Sequence, residues 1–124
     1  MAELDSGPGR LDWKVYVGDT NREAFQMTGE QAVDLTGSTI AAQARRAAKD
    51  EEVVATAIIG TSGLADGEFT VEWDGEELRA LVDAVPADAW IGAWDLQITY
   101  PDGTIDTPLA GRFTVTYDVT RGAA

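Results

Sequence analysis

Trp94-Asp95-Leu96-Gln97-Ile98-Thr99-Tyr100-Pro101-Asp102-Gly103-Thr104 is the stretch that decides the fold. Trp94, Leu96, Ile98 and Tyr100 fall on one phase, and Asp95, Gln97 and Thr99 fall on the other. A period of two describes a strand with one face buried and one face wet. Pro101 presets φ for the first corner of a reversal, and Gly103 accepts the positive φ that follows. Phe113 and Val115 alternate with Thr114 and Thr116 on the return, so residues 94–119 read as one β-hairpin. Gly111, inside the returning stretch, reads as a bulge that re-aims the last strand.

Working upstream, the same grammar recurs. Leu11, Trp13, Val15 and Val17 alternate with polar neighbours, and Phe25 and Met27 mark a short second strand. Asp34-Leu35-Thr36-Gly37 is a turn, after which Ile40, Ala42 and Ala44 share one phase. Residues 47–52 form a charged connector, and 53–59 a β-branched run. Phe69, Val71 and Trp73 alternate again before Asp74-Gly75. Only residues 76–85 change period: Leu78, Leu81, Val82 and Val85 have helical spacing, and Glu76 and Glu77 suit a helix start. A short helix is expected there, stopped by Pro86.

These signals predict an all-β protein, an antiparallel Ig-like or jelly-roll-like β-sandwich of about seven to eight strands with one short helix. Its core is expected to hold Trp13, Val15, Phe69, Val71, Trp73, Trp94, Leu96, Ile98, Phe113 and Val115. The domain spans residues 11–121, between an N-terminal arm (1–10) and a short tail (122–124). The arm carries Gly7, Pro8 and Gly9 and one large apolar residue, Leu4. It is expected to need a neighbouring molecule to offset the ~1–2 kcal/mol per residue of ordering entropy.

The chain has 124 residues, 44% of them hydrophobic, which suits one globular domain with a modest core. It has no cysteine and no histidine. Disulfides, thiolate nucleophiles, Cys/His metal sites, Ser-His triads and the usual general base near neutral pH are thereby removed. A non-enzymatic protein without cofactor is expected. Net charge is −13, which repels phosphate backbones and anionic surfaces, so neither nucleic acid nor membrane is an expected partner. No apolar run approaches the ~20 residues of a membrane span, no signal peptide opens the chain, and synthesis in a cytoplasm is expected.

The acidic groups Asp50-Glu51-Glu52, Asp74-Gly75-Glu76-Glu77 and Asp102 with Asp106 lack the spacing of a calcium loop and read as turn chemistry. Arg45, Arg46 and Lys49 form the one local basic cluster and read as a solvated loop shoulder. The aromatic residues suggest an alternative function, a carbohydrate-binding module that attaches a particle or enzyme to a glycan. Trp13, Trp73 and Trp94 fall on apolar phases, however, which leaves Trp90 as the candidate exposed aromatic.

Three segments carry a family resemblance: Asp34-Leu35-Thr36-Gly37 running on to Arg45, Trp94-Asp95-Leu96-Gln97 running on to Gly103, and Leu109-Ala110-Gly111-Arg112-Phe113-Thr114-Val115 with Asp118-Val119-Thr120-Arg121. In this order they resemble small β-sandwich structural proteins of bacteriophage virions and are similar to the N-terminal domain of phage baseplate upper proteins. Val17-Gly18-Asp19-Thr20 with Phe25 also fits, so the resemblance runs over residues 11–121. It implies a virion component of the tail or baseplate, or a capsid decoration, with other virion proteins as partners and many copies per particle. Baseplate upper proteins continue into long further regions; this chain ends at Ala124, and a stand-alone module is expected. Assembly contacts are expected at the chain ends, through Leu4, Pro8, Arg10, Phe113, Val119 and Arg121, by strand addition to an exposed edge.

Overall fold

A computed structural model describes residues 2–4, 9–29 and 33–117. Ten strands among them build two facing sheets. In chain order they are β1 (Ala2–Leu4), β2 (Gly9–Arg10), β3 (Trp13–Tyr16), β4 (Asn21–Met27), β5 (Thr39–Arg45), β6 (Ala55–Thr56), β7 (Ile58–Gly60), β8 (Glu68–Trp73), β9 (Ala89–Thr99) and β10 (Ile105–Thr116), with the helix α1 (Gly75–Asp83) between β8 and β9. The first sheet runs β1-β4-β8-β7. The second runs β2-β10-β9-β5-β6, with β3 also on β10. Apart from the N-terminal strands, this is the B-E-D and C-F-G strand order of an immunoglobulin-type sandwich.

The hairpin of β9 and β10 anchors the second sheet. Its turn closes with Tyr100 N–H on the Thr104 carbonyl at 2.8 Å and Gly103 N–H on the Tyr100 carbonyl at 2.9 Å. Gly103 has φ of 89°, and the Asp102 carboxylate accepts from Thr104 N–H at 2.9 Å. The strand phase is as expected: Trp94, Leu96 and Ile98 are buried, Gln97 is exposed. Gly37 takes φ of 83° in the turn before β5. All ten residues expected in the core are buried.

Aromatic rings from both sheets knit that core together. Trp13 meets Phe25 at 6.1 Å and Trp94 at 5.1 Å, and Trp73 meets Phe113 at 4.6 Å. Such tilted and edge-on pairs add to the burial of large apolar surface. In α1, the Asp74 carboxylate caps the helix by accepting from Glu76 N–H at 3.0 Å. Leu78 and Val82 turn inward. The helix occupies 75–83 rather than 76–85, because its cap, Asp74, lies two residues before the first glutamate and Ala84 already closes it.

The structure corrects the sequence reading in four places. The sheets are mixed rather than antiparallel: β1 runs parallel to β4, and β2 and β3 run parallel to β10. Alternation fixes which face a side chain takes and carries no strand direction. Residues 2–4 and 9–10 are not a free arm but edge strands. Leu4 is only 7% exposed, and its carbonyl accepts from the backbone N–H of Thr28 at 2.7 Å. The run 53–59 is two strands in different sheets, which switch at Ala57, whose N–H reaches the Ala42 carbonyl at 2.9 Å. Finally, the bulge in β10 falls between Asp106 and Leu109, around Thr107-Pro108, where proline has no N–H to give to a ladder. Gly111 instead pairs squarely with Trp94.

Candidate functional site

Gly111 allows the close approach of the segment between β2 and β3, which runs alongside β10 in one continuous parallel register. A Cβ there would lie 2.1 Å from the Leu11 carbonyl oxygen, so only glycine lets residues 11–12 run so close to β10. Leu11 N–H bonds the Ala110 carbonyl at 3.1 Å. The Trp94 indole N–H reaches the Leu11 carbonyl at 2.8 Å. The Asp12 carboxylate takes Arg112 N–H at 2.9 Å and pairs with the Arg10 guanidinium at 3.0 Å. The bond from Arg112 N–H, joined by the nearby arginines, holds the Asp12 carboxyl below the ordinary carboxylate range.

Strand register then sets two adjacent rows side by side. One reads Arg10, Ala110, Asp95, Gln43 across β2, β10, β9 and β5. The next reads Arg112, Ala93, Arg45 across β10, β9 and β5. Cross-strand neighbours lie about 5 Å apart at Cβ and diagonal ones about 7–8 Å. Small Ala110 and Ala93 among long arginines leave a depression of about 360 Å³, which Ala48 flanks.

Arg45 is held in place. Its guanidinium donates to the backbone carbonyls of Asp50 at 2.8 Å and Glu51 at 2.6 Å, and to Gln43 Oε1 at 3.1 Å. Asp95 is half-buried in the floor. Burial pushes its carboxyl above the ordinary value of 3.8, and the positive charge of Arg45 draws it partly back. A raised carboxyl pKa means that folding favours the neutral form. That contribution is present below about pH 3.8 and is lost as pH rises through the folded-state value. Asp95→Asn is therefore expected to raise the melting temperature near neutral pH, with the gain vanishing in acid. Calorimetry across the pH range checks this; a lower melting temperature at neutral pH would mean that the Arg45 attraction outweighs burial.

Among the described residues, those expected as assembly contacts do not converge. Leu4 is buried in its own core. Phe113 is 0% exposed, with β9 on one side of its strand and β3 on the other, so it offers no free edge. Arg10 is exposed and belongs to the depression. Pro8, Val119 and Arg121 lie outside the described residues. Trp90 is not exposed either: at 6% it packs edge-on to Phe113 at 6.4 Å, because 90 shares the inward phase of 94, 96 and 98. With all four tryptophans buried, the described residues present no tryptophan platform for a sugar.

The basic cluster 45–49 also divides: Arg45 ends β5 and joins Arg10 and Arg112, which are remote in sequence. Sequence reading missed Arg112, Asp95 and Gln43 as site residues. All three sit on polar strand phases, but only the register between strands brings them together.

Several carboxylates have structural tasks. Asp34 takes Thr36 N–H at 2.9 Å, Asp74 caps α1, and Glu77 takes Thr56 N–H at 3.0 Å. Among the described residues no helix is long and apolar enough to cross a membrane, and no group of three potential metal ligands converges.

No protein-family model matches the sequence, and no curated protein matches it. Among solved structures the chain is similar to the bradyzoite-specific antigen BSR4 of Toxoplasma gondii. That match has 12% identity and a TM-score of 0.34, and it covers 94% of this chain and 45% of the antigen chain.

Proposed function

We propose that this chain is a non-enzymatic structural protein of a bacteriophage virion. It is an accessory component of the tail or baseplate, or a decoration on the capsid, acting through contacts with other virion proteins and present in many copies. One observation supports the reading most: the parts of the three resembling segments that lie in the described residues fall on the adjacent strands β5, β9 and β10, the first of them some fifty residues before the other two. Their key residues have matching structural roles. Gly37 makes the positive-φ turn, Trp94 and Phe113 fill the core, and Gly111 admits the segment alongside β10. The resemblance therefore rests on one cooperating sheet. Free sheet edges support contacts with neighbours: β7 borders its sheet and carries Ile58, which is 57% exposed.

The test is mass spectrometry of particles purified by density gradient from the phage or prophage that encodes the chain. The protein is expected in the particle band in many copies. Its recovery only in the unassembled fraction would overturn the proposal.

A further inference from the structure

The outer face of the second sheet has a chemistry that the virion reading does not use. In a chain of net charge −13 with nine basic residues, Arg10, Arg45 and Arg112 line one depression of about 360 Å³. That volume falls within the range of small-ligand sites and accommodates one sugar ring. The floor is Ala93, Ala110 and main chain at Gly92 and Gly111, with Asp95 and Gln43 beside it.

We propose that this depression binds an acidic sugar of the uronic or sialic acid class, its carboxylate on the arginines and its ring hydroxyls on Asp95 and Gln43. Arginine's planar fork matches a carboxylate with two parallel hydrogen bonds. Three of the Arg45 donor bonds are already spent on Asp50, Glu51 and Gln43, which fixes the guanidinium in place and leaves its remaining N–H groups for a ligand. The Arg112 guanidinium donates no side-chain hydrogen bond among the described residues, and Arg10 pairs with Asp12 at 3.0 Å while staying exposed.

Asp95 decides the ligand class. Its carboxylate accepts no hydrogen bond among the described residues, lies two residues along β9 from Ala93 on the same face, and is directly opposite both Ala110 and Gln43. A phosphate or sulfate dianion would meet it as a like charge. A single carboxylate set among neutral hydroxyls satisfies both signs at once: acid on the arginines, hydroxyl protons on Asp95. Gln43 has given its oxygen to Arg45 and keeps its NH₂ for a sugar oxygen. This is a different sugar site from an aromatic platform, and it stands whether or not the chain belongs to a virion.

The experiment is an NMR titration of the full chain, following the amides of Ala93, Ala110 and Gly111. The probes are glucuronic acid, N-acetylneuraminic acid, glucose, inorganic phosphate and N-acetylglutamate. Saturable shifts are expected with the two acidic sugars. Glucose, phosphate and N-acetylglutamate should bind at least ~10-fold more weakly, the loss of about one charge-assisted contact or the addition of one repulsion.

Arg10→Gln with Arg112→Gln changes two exposed side chains, leaves the Arg45 anchor intact, and should weaken the acidic sugars ~10-fold or more while the rest of the spectrum is retained. Asp95→Asn should narrow the gap between phosphate and uronate, since the like charge is gone. No saturable shift with either acidic sugar would overturn the proposal. Equal or tighter binding of phosphate would do the same. N-acetylglutamate matching the sugars would also overturn it and mark the face as a dock for acidic protein side chains.

Discussion

Replacing Trp94 with alanine is expected to lower the free energy of unfolding by about 3–5 kcal/mol, the penalty for truncating a large aromatic side chain in a packed core. Trp94 is 3% exposed and lies against Trp13 at 5.1 Å and Trp73 at 6.4 Å. Its indole N–H also holds the Leu11 carbonyl. Phenylalanine separates the two contributions. Trp94→Phe keeps most of the apolar contact but gives up that bond, for a further penalty of about 0.5–1.5 kcal/mol. Trp73 supplies the control: it is equally buried, and its indole nitrogen finds no acceptor among the described residues. Trp73→Phe therefore removes an unsatisfied donor and should cost less than Trp94→Phe. Urea unfolding of the two phenylalanine variants checks the order; a Trp73→Phe loss equal to or larger than that of Trp94→Phe would show that the bond to Leu11 adds nothing.

The contrast between these residues marks where the sequence is readable. Alternation assigned Trp94, Leu96 and Ile98 to the core because a strand with one buried face must alternate, and the Pro101–Gly103 turn set the hairpin. The same logic, carried four residues back along the strand, would have buried Trp90; the Ile91-Gly92-Ala93 interruption hid it. Leu4 shows a second limit. A lone apolar residue in a polar, glycine-rich segment has no period, and its burial comes from β4 offering an open edge with an apolar gap beneath it. The direction of β1, β2 and β3 was not legible for the same reason, since parallel and antiparallel pairing bury the same phase.

The candidate site lay further out of reach. Arg10, Arg45 and Arg112 are widely separated in the chain, and each alone is an exposed cation on a strand. Their meeting depends on three strand registers, and a shift of one residue in any of them would send a guanidinium to the wrong face. Turn and core residues announce themselves locally; a binding face assembled across four strands does not.

Gly111→Ala should be strongly damaging for a single added methyl group, at about 1.5–4.5 kcal/mol. The added carbon would lie 2.1 Å from the Leu11 oxygen and 2.7 Å from its carbonyl carbon, both main chain. Neither can rotate away as the end of a flexible side chain would. The segment at residues 11–12 must then lift from β10, which breaks the Leu11 bond to Ala110, the Trp94 bond to Leu11 and the Arg112 bond to Asp12. The Trp94 indole N–H left without its acceptor costs about 1–3 kcal/mol and the lost Leu11 bond about 0.5–1.5 kcal/mol, which give that range; the exposed Asp12 bond adds to the strain without deciding it. Alanine's stiffer unfolded chain returns less than about 1 kcal/mol. Gly103→Ala is the matched control. It has φ of 89° and nothing within 4 Å of the added carbon, so its penalty is the left-handed backbone alone, about 1–2 kcal/mol. Chemical unfolding should rank Gly111→Ala well above Gly103→Ala, and the arginine-lined depression should deform with it, because Arg112 loses its main-chain tie to Asp12. If the two variants unfold at the same denaturant concentration, the close approach is not what demands glycine at 111.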